Sequence, residues 1–583
     1  MLPSLSFSTF LTKFSIICAI LITFSKCFVI LPKSKFCTFE GYQTPNKLDQ
    51  LSQKFVLSSL EGPLDRESHF TRIEHEPVSR ILSQCMERSM ISQSTDFVKL
   101  DQLLTSYQTQ NFNNSMYNSI YYGIDCTNDF IHEGTLFQLL LLRRFLSENF
   151  NVVLVLGGGT TLVGDPSYKL RRNRNDNFHF SNFILNKDNS EIDTTNEQAI
   201  EEIATKILSR PIKIENTGLY NDVIVVPKVV RVSNLESDLD ILSEMSKPYR
   251  VFIVNNRDIY NRVNLMEYLE TVARNMNVGR MLARDCIKIR MLDKDGTGYK
   301  KSINMDLAEL MYMSLQAMDF VYLAQNFNCK IQLGGNDQMG NIVSGIELAG
   351  SLGIGNVYGI TTPLLKDKFG EKISKTGSNC FLKITNKTSP HEFWSHFRSV
   401  DDSEVENYLK WFTDVSLDKI KESILEHYNS GKVLLADELT RLLYGNQTVE
   451  LIHKFCMTKN FSDLTPFLTN SGTNLEDFES FINFSKAVPH INLTTEQLSK
   501  GVELLEVLDT VRVPQYSNAF FHTNKKFIKE GGCKVNGNVV TDVKYTLTEK
   551  DVVKLTSEGN DYKYITIQLG NRRIYFLIVD YSF

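Results

Sequence analysis

The chain has 583 residues, of which 42% are hydrophobic, and a formal net charge of -5. Its length and apolar content exclude a disordered protein and predict several globular domains rather than one core. The small negative charge excludes no class of partner, because a protein that is acidic overall can still bind RNA through a basic face. None of the ten cysteines belongs to a Cys-x-x-Cys pair, so we expect no metal site and no disulfide framework.

Residues 1–75 are predicted to be a leader rather than a domain. No acidic residue precedes Glu40, and the lysines of this stretch surround an apolar run at 14–24. That run is too short to span a bilayer and fits a signal peptide, whereas the Lys-, Ser- and Thr-rich residues that follow resemble a transit peptide. The leader predicts delivery to a plastid through the secretory route and no membrane anchor in the mature form. A mitochondrial presequence and ordinary secretion are the alternatives.

From residue 76 to 385, β-rich runs alternate with helical stretches. The runs cover 119–125, 151–156, 251–254 and 329–333. This alternation predicts an α/β catalytic domain with a Rossmann-like parallel sheet, whose ligands bind at the carboxyl ends of the strands. A polar tract at about 171–247 is predicted to be an insertion in a loop beside the site. Its basic residues either contact phosphate or are solvated.

The remainder of the chain predicts two further domains. Amphipathic segments at 405–412, 417–428 and 433–443 indicate a helical domain over 386–510. In 511–583, a helical stretch at 516–529 leads through Gly531-Gly532 and Val535-Asn536-Gly537 into short strands, which predicts a small α+β domain. Its lysines form either a basic face for RNA phosphates or a solvated surface; they are Lys525, Lys526, Lys529, Lys534, Lys544, Lys550 and Lys554.

A glycine-rich turn at 157–167 follows the second strand. It is not a Walker A loop, because Asp165-Pro166 stands where Lys and Ser or Thr are required. It is not a dinucleotide fingerprint either, because Leu162 replaces the third glycine. The turn either presents the Asp165 carboxylate to an ammonium group or serves only as a tight turn.

The helical stretch 306–327 carries Tyr312, Gln316 and Asp319 at i, i+4 and i+7. This spacing places the three side chains on one face of an otherwise apolar helix. Buried polar groups need partners. The phenol, amide and carboxylate therefore either clasp the ammonium and hydroxyl groups of an amino acid or form a satisfied internal network.

Two further motifs point to a nucleotide. Gln332-Leu333-Gly334-Gly335-Asn336-Asp337-Gln338 follows the strand at 329–333, where a carboxylate commonly holds ribose hydroxyls. Lys372-Ile373-Ser374-Lys375-Thr376 places two lysines and two hydroxyls on one short loop, which is typical of a segment that handles phosphate.

Together with Tyr121-Tyr122-Gly123-Ile124-Asp125 and His132-Glu133-Gly134-Thr135, these motifs resemble bacterial or organellar-type tyrosyl-tRNA synthetases, which are class I aminoacyl-tRNA synthetases. The resemblance covers about 78–583. It implies a Rossmann-like catalytic domain, a helical anticodon-region domain, a C-terminal RNA-binding domain and a homodimer. The implied activity joins L-tyrosine to tRNA(Tyr), using ATP with Mg²⁺.

The resemblance also implies a role for individual residues. Tyrosine would be bound by Tyr121 and Asp319 at its phenol and by Asp165, Tyr312 and Gln316 at its ammonium group. ATP would be bound by Gly123, Asp125, Gly134, Thr135, Gly335 and Asp337. The catalytic set would be Thr127, His132, Gln338, Lys372, Lys375 and Thr376, with Gln338 at the reacting carboxylate and the others around the departing phosphates.

Three positions depart from the family's pattern. Thr135 replaces the second histidine of the His-Ile-Gly-His signature, Cys126 stands where proline is usual, and Met339 replaces a tryptophan. Two other functions remain open at this point: a tryptophanyl-tRNA synthetase, and a catalytically silent RNA-binding protein built on the same fold. Tyr121 and Asp319 favour tyrosine because both suit a substrate hydroxyl.

Overall fold

The computed structural model describes residues 76–108, 117–165, 194–214, 222–234, 238–284, 287, 306–365, 382–386, 388–456, 485, 490–510, 521–557, 560–570 and 573–580. The predicted leader at 1–75 and the lysine loop with Lys372, Lys375 and Thr376 lie outside these residues.

A seven-stranded sheet forms the centre of the catalytic domain, with the spatial order β1-β9-β8-β2-β3-β7-β6. Only β1 is antiparallel to its neighbour. The strands are β1 Gln93–Ser94, β2 Ser119–Ile124, β3 Asn151–Leu156, β6 Lys228–Arg231, β7 Arg250–Asn255, β8 Cys329–Gly335 and β9 Tyr358–Thr362, and β4 Ile212–Ile214 pairs with β5 Val223–Val225 outside this sheet. Every residue of β3 is buried, as expected for a strand covered on both faces. The predicted Rossmann-like parallel sheet is confirmed.

Helices cover both faces of this sheet. One face packs against a core that includes Leu136 and Leu140, the other against a core that includes Ala317 and Phe320. The helices are α1 Arg80–Glu87, α2 Phe97–Gln108, α3 Glu133–Ser147, α4 Thr160–Val163, α5 Thr195–Leu208, α6 Asp238–Met245, α7 Asn256–Tyr260, α8 Leu265–Thr271, α9 Val278–Leu282, α10 Leu307–Asn326 and α11 Met339–Ser351. The predicted helix at 306–327 is α10, whose first turn is capped by Asp306.

The polar tract at 171–247 differs from the predicted loop from residue 194 onward. Helix α5 buries Ile200, Ile203 and Ile207 in the core beneath the sheet. Strand β6 extends the central sheet beyond β7. This part of the tract is therefore integral to the domain, because apolar residues at helical spacing outweigh its polar composition.

The helical region shares a core with the catalytic domain. Trp411 stacks on Phe137 with ring centroids 5.5 Å apart. Arg88 donates hydrogen bonds to the carbonyl oxygens of Thr413 and Val415. The helices are α12 Pro390–Arg398, α13 Val405–Phe412, α14 Leu417–Glu426, α15 Tyr428–Tyr444 and α16 Asn446–Cys456.

The C-terminal domain begins earlier than predicted. Strand β10 pairs in parallel with β17, and Leu493, Leu498 and Leu504 belong to the same core as Ile565 and Leu577. The predicted boundary at 510/511 divides this core and is corrected to residue 490 or before. The elements are β10 His490–Leu493, α17 Thr495–Lys500, β11 Val502–Glu503, α18 Leu504–Thr510, α19 Phe521–Lys529, β12 Cys533–Val535, β13 Asn538–Val540, β14 Thr546–Leu547, β15 Val553–Ser557, β16 Asn560–Leu569 and β17 Arg573–Val579.

Across the described ranges, no helix combines the length and the apolar character needed to cross a membrane. Within the same ranges, Cys85, Cys126, Cys329 and Cys533 are buried thiols that form no disulfide bond with one another.

Candidate active site

A pocket of about 140 Å³ opens at the carboxyl ends of the parallel strands. The pocket lies at the end of β2. The next strand along the chain, β3, pairs with one side of β2, and β8 pairs with the other side. Such a change of direction in a parallel sheet leaves a crevice between the loops that leave the strands. The loops after β2, β3, β7, β8 and β9 all contribute to the lining.

Two polar atoms of the pocket lining, on residues predicted to bind a phenol, have no hydrogen-bond partner among the described residues. They are the Tyr121 hydroxyl oxygen and Asp319 Oδ1. Tyr121 is 2% exposed and Asp319 is 4% exposed, and both line the pocket. A buried polar group without a partner costs free energy, so this pair is suited to a ligand that supplies a hydroxyl group.

The other oxygen of Asp319 is held by Asn256, a residue that sequence reasoning missed. Asn256 Nδ2 donates to Asp319 Oδ2 at 3.0 Å, and Asn256 Oδ1 accepts from the Gly159 backbone at 2.8 Å. The available signal was its place directly after β7, at the same edge of the sheet as the other motifs. Burial raises the pKa of Asp319 to about 7, although hydrogen bonds from Asn256 and Tyr260 act in the opposite direction. Burial also raises the pKa of Tyr121 well above its usual value.

Asp125 connects β2 to two neighbouring elements. Its Oδ1 accepts from the Thr160 hydroxyl at 2.8 Å, and its Oδ2 accepts from the Tyr312 hydroxyl at 2.8 Å. A Cβ at Gly157 would lie 2.5 Å from Asp125 Oδ1, so glycine is needed for this approach. The resemblance assigned Tyr312 to the ammonium group of tyrosine and Asp125 to ATP. In the structure, the Tyr312 hydroxyl donates a hydrogen bond to the Asp125 carboxylate.

Asp165 belongs to a second polar chain. Gln338 Nε2 donates to Asp165 Oδ2 at 3.0 Å. Asn341, another residue that sequence reasoning missed, donates to Gln338 Oε1 at 3.1 Å and to Gln316 Oε1 at 2.9 Å. Groups drawn from the turn after β3, from α10 and from the start of α11 are thus linked before any ligand binds, which fixes their orientation.

His132 caps α3 at the mouth of the pocket. Its Nδ1 accepts from the Thr135 backbone N–H at 3.3 Å, which leaves the proton of the neutral ring on Nε2. A Cβ at Gly134 would lie 2.8 Å from His132 Cε1, so only glycine allows the ring to sit over the first turn. The positive end of the α3 dipole and the Nε2–H together favour an anion here.

The pocket brings together most of the residues predicted to form the site. Thr127 is exposed and lies outside the described lining, and Lys372, Lys375 and Thr376 lie outside the described residues. The lining includes Tyr121, Asp165, Tyr312, Gln316 and Asp319, then Gly123, Asp125, Gly134, Thr135, Gly335 and Asp337, and finally His132 and Gln338.

The lining also contains two glutamines, Gln138 and Gln332, to which the sequence analysis assigned no role. Gln138 Nε2 donates to the Thr362 hydroxyl, and its Oε1 has no partner among the described residues. Gln332 Oε1 is likewise buried without a described partner. The described lining holds the carboxylates of Asp125, Asp165, Asp319 and Asp337 and no Lys or Arg side chain. This wall suits a ligand with an ammonium group.

The chain is similar to known tRNA synthetases. Residues 114–456 match the family model described as tRNA synthetases class I (W and Y). A tyrosine–tRNA ligase of Wolbachia sp. subsp. Drosophila simulans (strain wRi) is 30% identical over 506 residues, covering 86% of this chain and 99% of the relative. A tyrosine–tRNA ligase of Ehrlichia chaffeensis (strain ATCC CRL-10679 / Arkansas) is 28% identical over 85% of this chain and 97% of its own length.

Among solved structures, a C-terminally truncated mitochondrial tyrosyl-tRNA synthetase of Coccidioides posadasii is 23% identical, with a TM-score of 0.46 over 70% of this chain and 97% of that one.

Proposed function

Because this chain belongs to the class I tRNA synthetases that serve tryptophan and tyrosine, we propose that it is a tyrosine–tRNA ligase. It activates L-tyrosine with ATP to tyrosyl-adenylate and transfers the tyrosyl group to the 3′ end of tRNA(Tyr). The named relatives are tyrosine–tRNA ligases that align over most of this chain.

The observation that carries the choice of tyrosine is the pair of unpartnered atoms on Tyr121 and Asp319, which both line the pocket. Tyr121 would donate to the phenol oxygen, and Asp319 Oδ1 would accept the phenol proton. Phenylalanine would leave both groups buried without partners. Tyrosyl enzymes are the standard example of this effect, with discrimination of about 10⁵-fold, so that value belongs to the class and is not a prediction for this chain.

The carboxylate-rich part of the pocket lining would hold the ammonium group of tyrosine. We assign the contact to Asp165, Tyr312 and Gln316, whose polar atoms are oriented by Gln338, Asp125 and Asn341 respectively. Gln338 would then face the reacting carboxylate. An ammonium group bound here would exchange its hydrogen bonds with water for hydrogen bonds with acceptors fixed in the protein. Fixed acceptors orient a substrate before it reacts.

In the first half-reaction, a tyrosine carboxylate oxygen forms a bond to the α-phosphorus of ATP, and the bond from that phosphorus to the bridging oxygen of pyrophosphate breaks. No protein nucleophile and no proton transfer are required. Catalysis consists of alignment and of stabilising negative charge on the departing phosphates. His132 Nε2–H, Thr127, Lys372, Lys375 and Thr376 are assigned to that charge, Gly123, Asp125, Gly134 and Thr135 to the nucleotide, and Gly335 and Asp337 to its ribose.

In the second half-reaction, a terminal ribose hydroxyl of the tRNA forms an ester bond with the tyrosyl carbonyl carbon. AMP leaves with the bonding electrons, and the hydroxyl proton passes to the phosphate or to water. Magnesium would enter with ATP, where it would neutralise charge on the phosphates. Among the described residues, no group of three His, Cys, Asp or Glu side chains could hold a metal ion.

Tyrosine-dependent exchange of pyrophosphate into ATP tests this proposal. We expect exchange with tyrosine, and far less with tryptophan or phenylalanine at equal concentration. A preference for tryptophan would make the chain a tryptophanyl enzyme. Exchange with no amino acid, combined with retained tRNA binding, would identify a silent RNA-binding protein.

We further propose a homodimer. Leu265 and Met266 on α8 and Leu307 at the start of α10 are 70%, 63% and 64% exposed. Burying such side chains against a second copy would be favourable. Light scattering should give twice the chain mass for the full-length protein, and Met266→Glu should shift it to the monomer. Leu425→Glu, at an exposed leucine of α14, is the matched control and should leave the mass unchanged.

The C-terminal domain is proposed to contact tRNA phosphates. Lys529 on α19 and Lys544 and Lys550 in the loops around β14 are exposed. Phosphate contacts made by such residues weaken as salt rises, because counterions are released on binding. Replacing the three lysines with glutamine should reduce tRNA affinity and its salt dependence without changing tyrosine activation. An unchanged salt slope would contradict the assignment.

Residues 1–75 contain the lysine-rich, acid-poor stretch that predicts a leader. We place this enzyme in an organelle, with a plastid reached through a signal-plus-transit leader as the proposed site and the mitochondrion as the alternative. Imaging residues 1–75 fused to a fluorescent reporter, together with plastid and mitochondrial markers, distinguishes the two. A secreted reporter would contradict both.

A further inference from the structure

Glu133 is a buried carboxylate beside the pocket. The reaction described above assigns no role to this carboxylate. It is 2% exposed and is the first residue of α3, directly after His132. His132 and Gly134 line the pocket, whereas Glu133 is not part of its described lining. In the His-Ile-Gly-His signature the corresponding residue is isoleucine, whose side chain cannot accept a hydrogen bond.

Both carboxylate oxygens of Glu133 form hydrogen bonds with residues that follow the last strand of the central sheet in the sequence. His396 Nε2 lies 2.5 Å from Oε1, and the Tyr408 hydroxyl donates to Oε2 at 2.7 Å. The backbone of Leu382 supplies a further hydrogen bond. His396 lies on α12 and Tyr408 on α13, so one side chain connects the first turn of α3 to two helices of the helical region.

The residue on the other side of His132 is anchored to the same part of the chain. Ile131 N–H donates to the Ile384 carbonyl at 3.0 Å, and Ile384 N–H donates back at 2.9 Å. His132 is therefore flanked by two residues that are both tied to residues beyond 381. Neither attachment involves α10, which carries Tyr312, Gln316 and Asp319 of the amino-acid side of the pocket.

The charge of Glu133 is stabilised at this position. Burial alone would raise its pKa, but the attraction and hydrogen bond of His396, with the hydrogen bonds of Tyr408 and Leu382, hold the pKa below its usual value. A buried carboxylate with partners on both oxygens has one strongly preferred orientation. The preferred orientation of the Glu133 side chain also restrains its own backbone and the adjacent His132 imidazole.

We propose that Glu133 is a positioning residue that fixes His132 against the helical region, and that its hydrogen bonds set how well the enzyme uses ATP without affecting how it holds tyrosine. This inference rests on the proposed function, in which His132 faces the departing phosphates. Loss of the Tyr408 or His396 contact allows the first turn of α3 to shift. A displacement of well under 1 Å at His132 then lowers the rate.

The test compares two Tyr→Phe variants of the full-length protein in tyrosine-dependent pyrophosphate exchange. Tyr408→Phe removes one hydrogen bond to Glu133 and changes no residue of the pocket. Tyr444→Phe is the matched control, because its hydroxyl donates at 3.0 Å to the Thr388 carbonyl in the same helical region. We expect Tyr408→Phe to lower kcat/KM for ATP about tenfold, with the KM for tyrosine unchanged. Tyr444→Phe should stay within about twofold of wild type.

Equal losses in the two variants, or a Tyr408→Phe enzyme with wild-type ATP kinetics, would overturn the inference. A parallel rise in the KM for tyrosine would also overturn it, because a general structural role would affect both substrates.

A double-mutant cycle shows whether Tyr408 acts through Glu133. In the Glu133→Gln background, Tyr408→Phe should have less than half of its effect on ATP kcat/KM, because the contact is already impaired. Full additivity would overturn the coupling. If Glu133→Gln does not fold, the same cycle is made with His396→Gln. Absence of exchange in the wild-type enzyme would instead reject the proposed function, so the two failures are distinguishable.

Discussion

Asp319 and Glu133 are both buried carboxylates beside one pocket, and their surroundings push their pKa values in opposite directions. Asp319 has one oxygen held by Asn256 and one without a described partner, and burial raises its pKa to about 7. Glu133 has partners on both oxygens, and its pKa is lowered. Burial alone therefore does not define a carboxylate's function. We propose that the unpartnered oxygen of Asp319 binds substrate, whereas the two bonded oxygens of Glu133 form a structural connection.

The largest expected effect is that of Asp319→Asn on activity. The amide keeps the shape of the carboxylate but loses the charge-assisted bond to the phenol. We expect tyrosine-dependent exchange to fall about 10²-fold in kcat/KM. At pH 8 the variant should unfold at the same or a higher urea concentration, because a buried charge has been removed. Reduced stability at pH 8 would show that the Asp319 carboxylate, like that of Glu133, stabilises the folded protein.

Glu133→Gln should show the opposite pattern in stability. The amide can accept fewer bonds than the carboxylate and leaves a buried donor unpaired. We expect the free energy of unfolding at pH 8 to fall by about 2 kcal/mol. Urea unfolding of this variant and of Asp319→Asn under identical conditions gives the two signs directly. A stabilised Glu133→Gln protein would contradict the structural connection.

The fold could be predicted from the sequence wherever one local pattern decides it. Strand β3 and helix α13 have the predicted bounds, because a buried parallel strand and an amphipathic helix each carry their own periodicity. The pocket residues were found because parallel strands place their carboxyl ends at one edge.

What the sequence did not reveal depends on distant pairs. Asn256 and Asp319 are 63 residues apart, and Glu133 and Tyr408 are 275 residues apart. No local pattern encodes such a contact. For the same reason the parallel pairing of β10 with β17 was missed, and the C-terminal boundary with it. In the polar tract, composition was weighed above the spacing of Ile200, Ile203 and Ile207, which predicts the buried face of α5.

The contributions of Asp319 and Glu133 to the free energy of unfolding should change with pH in opposite directions. A carboxylate with a raised pKa keeps its proton in the folded state at a pH where the unfolded chain has lost it. Stability from Asp319 therefore falls as pH rises from about 4 through 7, by at most about 1.4 kcal/mol per pH unit. Glu133, whose pKa is lowered, contributes stability above its unfolded pKa that is lost in acid. Urea midpoints of wild type and Asp319→Asn at pH 5, 6, 7 and 8 measure the first slope. Parallel curves would show that Asp319 does not titrate in this range.

The smallest expected effect is that of Tyr121→Phe. Deleting a hydroxyl without a described partner should leave the free energy of unfolding within about 0.5 kcal/mol of wild type. Tyrosine affinity should fall about tenfold, which corresponds to one lost hydrogen bond. Calorimetric titration of tyrosine into wild type and variant measures both dissociation constants. Unchanged affinity would remove Tyr121 from the binding pair and leave Asp319 alone.

Tyr121 and Asp319 are proposed to bind the phenol of the substrate through their two unpartnered atoms. This can be checked in a crystal structure of the protein with bound L-tyrosine. We expect the phenol oxygen within about 3 Å of both the Tyr121 hydroxyl and Asp319 Oδ1, with the ammonium group at Asp165. A tyrosine bound with its phenol elsewhere, or with both atoms still unpartnered, would rule out this binding mode.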